Sequence, residues 1–187
     1  MLSTEIKEGT KEAHLHLEKK VIQKLKAIRS NADYADFLKH FYAYFSHLEK
    51  AIAPYITDEL LPDYKQRRNS AYLKKDIEEL GSDITNLPLT TVPNINSALQ
   101  AMAALYVMEG SIMGGSIIVK MLEKGGITQG VSFFSGYGEA TGRMWGTFIE
   151  VLNGQSNNEN DEAQAIFTAN ETFTHFSEVF SEINVSI

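Results

Sequence analysis

The chain has 187 residues, 43% hydrophobic and 22% charged with four prolines, a globular balance that excludes a disordered segment or a fibre. Its 24 acidic residues against 17 basic ones leave a net charge of −7, which disfavours nucleic acid and anionic membrane surfaces as partners. The absence of cysteine excludes a disulfide scaffold, thiolate catalysis and a Cys-ligated zinc site.

At this length roughly 70% of the unfolded surface can be buried, so one domain over 1–187 is expected. The start has no apolar signal core, and no stretch approaches the roughly 20 apolar residues of a bilayer span, so a cytoplasmic protein is expected.

Leu2, Ile6, Ala13, Leu17, Val21, Leu25 and Ile28 cluster on one side at helical spacing and predict a first helix from Leu2 to about Ile28. A second, capped near Asn31 or Asp33, carries Phe37, Phe41, Phe45, Leu48 and Ile52 as a core stripe and fades around Pro54. After a loop with Pro62, Arg67 and Arg68, Ser70 is the expected cap of a short helix bearing Leu73, Ile77 and Leu80, stopped at Gly81. A long connection from Ser82 to Asn96 leads to a capping box, Ser97 with Gln100, and a fourth helix that runs to Gly125-Gly126. A fifth follows Gly136 and Gly138 through Met144, Phe148 and Leu152 to Gly154. The polar run Gln155 to Asn160 reads as a linker, and a last helix carries Ile166, Asn170, Phe173, Phe176, Phe180 and Ile183. With no alternating run, the fold class expected is all-α, a helical bundle.

Two segments carry chemistry. On the first helix Lys7, Lys11, His14 and Glu18 fall at i, i+4, i+7 and i+11, within about 60° of one another. This face borders the apolar stripe, so His14 is expected at the edge of the core. An imidazole there can ligate iron, with Glu18 accepting its other ring N–H and the lysines facing anionic groups; a solvated face with ordinary i,i+4 pairing gives the same pattern. His16 lies about 160° around the helix and cannot share a metal with His14.

On the fourth helix the run Tyr106-Val107-Met108-Glu109-Gly110-Ser111-Ile112-Met113-Gly114-Gly115-Ser116 holds three glycines, each costing about 1 kcal/mol relative to alanine. Something must approach that backbone more closely than a Cβ permits: another helix, or a flat ligand. Met108, Ile112, Met113 and Ile117 can line an apolar site there, or serve the core.

Taken together, the two segments resemble the haem oxygenase family. Ile6-Lys7-Glu8-Gly9-Thr10-Lys11-Glu12-Ala13-His14, continued to Glu18, reads like that family's proximal helix. Gly110-Ser111-Ile112-Met113-Gly114-Gly115 reads like its distal one. The resemblance implies a haem slot between the first and fourth helices, with His14 on the haem iron, Glu18 as its hydrogen-bond partner, and Lys7 toward the propionates. Gly110, Gly114 and Gly115 would line the distal face, and Lys11 and Met108 join them as cofactor-binding candidates from the helix-face reading above. Arg143 is the candidate for a further propionate contact, or else a surface arginine.

Many members have aspartate directly after the first distal glycine, where this chain has Ser111, a wording similar to a bacterial branch associated with bilin-forming photoreceptors. The resemblance implies O2-dependent cleavage of haem to biliverdin, Fe2+ and CO, with electrons from an external reductase or ferredoxin. Gly110 and Ser111 are then the catalytic candidates, and a bilin-binding photoreceptor a possible partner. The alternative is a protein that binds, stores or senses haem without consuming it. A thiaminase-like hydrolase lacks its cysteine here, and no Glu-x-x-His pair serves a di-iron bundle.

Overall fold

In the computed structural model, which describes residues 1–181, eight α-helices and two short 3-10 helices (Tyr64–Gln66 and Gly138–Ala140) make up the regular structure. Ile183, expected on the last helix, lies outside the described residues.

The first predicted helix is two. α1 (Leu2–Gly9) and α2 (Lys11–Ala27) meet at Thr10, whose backbone leaves helical values (φ −109°, ψ 4°) while its hydroxyl donates to the Ile6 carbonyl at 2.7 Å. The joint is seated on α8 (Glu159–Val179): Asn170 Nδ2 donates to the Gly9 carbonyl at 2.9 Å, and a Cβ on Gly9 would come within 2.7 Å of Ile166. α3 (Asn31–Ile52) is capped one residue earlier than expected, by the Ser30 hydroxyl accepting from the Asp33 N–H. α4 (Ser70–Glu79) is capped by Asn69, not Ser70, and Gly81 beyond it takes a left-handed φ of 80°.

The fourth predicted helix also divides, into α5 (Ala98–Met113) and α6 (Gly115–Lys124), on either side of Gly114. Ser97 accepts from the Gln100 N–H as expected, but the Gln100 side chain accepts from Asn96 rather than from Ser97. α7 (Thr141–Asn153) follows Gly136 and Gly138, both at positive φ.

Contrary to the expectation from composition, residues Ala98–Lys124 are long and apolar enough to cross a bilayer. Only half of their most apolar stretch is buried inside the protein. α5 is the central element, packed on α8, α7 and α3, with Ala101 to Leu105 fully buried. Beyond Gly110 the apolar side chains Met113, Ile117, Ile118 and Met121 instead wall a cavity.

The core beneath is aromatic. Phe41 meets Phe45, Phe134 and Phe176 edge to face at 5.6, 5.1 and 5.0 Å, and Tyr44 stacks on Phe176 at 4.8 Å while donating to the Thr172 carbonyl. This cluster joins α3 to α8 and forms the floor on which α2 and α5 stand apart.

Candidate functional site

Between α2 and the α5–α6 pair lies a cavity of about 350 Å³. Its α2 wall is Thr10, His14, Leu17, Glu18, Val21, Ile22 and Leu25, with Lys7 of α1 at its edge. Opposite stand Tyr106, Val107, Gly110, Ser111, Met113 and Gly114; Phe41, Phe173 and Phe176 close the bottom, and Trp145 of α7 closes one flank.

The imidazole of His14 is solvent-accessible within this cavity and rests on the Phe173 ring at 5.3 Å. Glu18, one turn on, lines the same wall but makes no hydrogen bond to His14. His16 points away and is exposed. Lys7 reaches the cavity and Lys11 does not, because the break at Thr10 interrupts the rotation that would have aligned them on a straight helix.

The three glycines divide by duty. A methyl group on Gly110 would meet nothing within 4 Å, and one on Gly114 only the Gly110 carbonyl oxygen at 3.5 Å, so both present bare backbone to open space. Gly115 is buried, and a methyl there would overlap the carbonyl of Phe134. It serves the docking of α6 on the 131–138 loop, so its expected place on the distal face is corrected. Met108 likewise leaves the lining: it stands about 160° around α5 from Gly110 and is 1% exposed in the core. Ile112 is also core, whereas Met113 and Ile117 do line the cavity.

Ser111 is at the cavity wall with its hydroxyl donating to the Val107 carbonyl at 3.1 Å, which leaves the oxygen's lone pairs free to accept. Arg143 is exposed and outside the lining, about 160° around α7 from Trp145, the residue by which that helix reaches the cavity. The sequence does not mark Tyr106, Trp145 and Phe173 as site residues; aromatic side chains at helical spacing read alike whether they fill a core or line a slot.

The construction suits a flat, largely apolar ligand with an anionic edge: side-chain-free backbone on one wall, an accessible imidazole on the other, and a lysine at the rim. A haem oxygenase family model matches residues 1–182. The chain belongs to the haem oxygenase family. A curated heme oxygenase from Xanthomonas campestris pv. campestris (strain 8004) is 26% identical over 145 residues, covering 76% of this chain and 86% of that protein. The crystal structure of the Neisseria meningitidis heme oxygenase with NO and CO bound superposes with a TM-score of 0.81 at 21% identity, over 96% of this chain and 90% of that one. The observed bundle is thus the haem oxygenase fold, with the cavity between the helices that the proximal and distal segments occupy.

Proposed function

We propose that the chain is a haem-degrading oxygenase that opens the ring with dioxygen to biliverdin, releasing CO and Fe2+. The observation that carries this reading is the pairing, across one cavity, of the His14 imidazole with the bare backbone of Gly110 and Gly114. Family membership and a relative named heme oxygenase support it, as does a structural neighbour studied with diatomic ligands for oxygen activation.

Haem, as both substrate and cofactor, supplies the redox-active iron, and the electrons come from a separate reductase or ferredoxin. The chain supplies the rest. His14 holds the iron and orients the ring, and Phe173 beneath it limits how that imidazole can tilt. Lys7 neutralises a propionate at the rim; Lys11 and Arg143, exposed outside the lining, act on the propionates only at longer range. Gly110 and Gly114 admit the flat ring and small ligands close to the backbone, while Val107, Met113, Ile117 and Ile118 exclude bulk water. Ser111 would order a water through its free lone pairs, and that water, not the hydroxyl tied to Val107, would carry the proton toward the ring face; ordering such waters is the duty that aspartate has in other members. The likeness of its Gly-Ser wording to the photoreceptor-associated branch supports a bilin-binding photoreceptor as the recipient of the product.

The test is turnover. Protein loaded with haemin and given NADPH, a reductase and catalase is expected to lose its Soret band and gain the broad red absorption of a bilin. A Soret band that persists under reduction would instead assign haem binding or storage. Trp145 lines the cavity and is the chain's sole tryptophan, so quenching of its fluorescence reports haem entry independently of turnover.

A further inference from the structure

Behind the glycine wall lies a buried ionic cluster that the reading above does not use. Arg67 is 1% exposed and Glu109 2%. Arg67 Nε and Nη2 donate to the two oxygens of Asp63 at 2.8 and 2.7 Å, Nη2 also donates to the Met144 carbonyl of α7 at 3.1 Å, and Nη1 donates to Glu109 Oε2 at 2.8 Å. The guanidinium lies over the Phe148 ring at 5.8 Å. Glu109 Oε1 is buried with no hydrogen-bond partner among the described residues.

One guanidinium therefore serves two carboxylates, and the two are unequally treated. Asp63 takes the bidentate contact and keeps 24% of its side chain in solvent, while Glu109 has a single bond and almost no solvent. A surplus negative charge in a buried site is costly, and the least costly relief is a proton on the carboxylate with the poorer solvation. We infer that Glu109 is a proton-exchanging group, a positioning residue whose charge state sets the electric field at the neighbouring Gly110 and Ser111, rather than a fixed ion-pair partner.

The surroundings single out Glu109 as the group that titrates. Burial pushes its carboxyl up to about 7 against the pull of Arg67, with Asp63 adding to the rise. Tyr64 on the 3-10 helix and Tyr137 before α7 also face it, and burial, helped by nearby carboxylates including Glu109, pushes both phenols up to about 12, so they stay neutral. Arg68 lies beyond Tyr137, between it and Tyr72. On α3, Glu49 is also pushed up by burial, but the Ser70 hydroxyl and N–H both donate to it and pull it back, whereas Glu109 has one bond and an unpartnered oxygen. The buried face of α8 is wholly neutral. Asp63, partly exposed, is the edge of the cluster toward solvent.

Infrared difference spectroscopy of the haem-free protein tests this directly. Lowering the pH through about 7 is expected to raise the carbonyl stretch of a buried carboxylic acid. That band should shift on 13C-labelling of glutamate and vanish in Glu109→Gln. Absence of any glutamate-derived acid band in labelled wild-type protein on either side of neutrality would overturn the inference, whatever the fate of the variant. The effect on the crevice rests on the haem reading and has its own arm: the optical pH titration of the ferric haem complex should shift its midpoint in Glu109→Gln. An unmoved midpoint removes the positioning role. Because the infrared arm contains no haem, its failure is distinguishable from failure of the haem reading.

Discussion

At Gly110 a methyl group would enter open space, and at Gly115 it would overlap the Phe134 carbonyl, so the same substitution has opposite consequences at two sites close in sequence. Gly110→Ala is expected to stabilise the haem-free protein by up to about 1 kcal/mol through helix propensity, raising its Tm by about 2–4 °C, while weakening haem binding. Gly115→Ala is expected to cost at least about 1–3 kcal/mol, because backbone cannot yield as a side chain can. Thermal melts and haem titrations of both variants check the pair; if Gly110→Ala left haem affinity intact, the distal wall would not be where the ring lies. Most of this site was legible in the sequence. Lys7, His14, Glu18, Gly110, Ser111 and Gly114 stand in short motifs whose spacing survives folding. Tyr106, Trp145 and Phe173 were hidden because a slot lined with aromatics has the periodicity of a core; Met108 faces the core because two residues set it about 160° from Gly110, and Gly115 lies past the break at Gly114, where α6 docks on the 131–138 loop.

The helices themselves were read well where a stop residue marks their end, as at Gly81, Gly126 and Gly154. The breaks at Thr10 and Gly114 leave no mark in the sequence, since the residues on either side keep helical periodicity and only packing on α8 and on the 131–138 loop forces the turn. The Arg67–Glu109 pair was illegible for a different reason: its members are 42 positions apart on elements that tertiary structure brings together. That pair ties the 3-10 loop to α5 and α7, so Arg67→Met, which strands two carboxylates, is expected to cost about 3–5 kcal/mol. The loss should be larger at pH 8 than at pH 6, because a proton on Glu109 relieves it. In the wild-type protein the sign is set by a folded-state value raised from 4.5 to about 7. The native state holds a proton that the unfolded state releases, so this stabilisation is complete below the unfolded value and is lost as pH rises through about 7, a change of about 3 kcal/mol. Chemical denaturation across that window should show the slope in wild type and its loss in Glu109→Gln; a flat wild-type profile would contradict it.

Across the molecule, an aromatic floor of α3 and α8 side chains holds α2 and α5 apart, and the opening so kept carries the proposed activity. A ligand that binds only the folded form stabilises it by mass action: at a hundredfold excess over Kd the gain is about 2.7 kcal/mol, or about 5–10 °C in Tm for a domain of this size. Haemin is expected to produce such a shift and metal-free protoporphyrin a smaller one, since only the former engages His14. The most direct measurement of the whole account is the optical and resonance Raman spectrum of the ferric haem complex in three proteins. Wild type and His16→Ala are expected to show the same histidine-ligated haem, and His14→Ala to lose that signature and regain it when free imidazole is added. A His14→Ala complex with the wild-type spectrum, or loss of the signature in His16→Ala, would contradict the account.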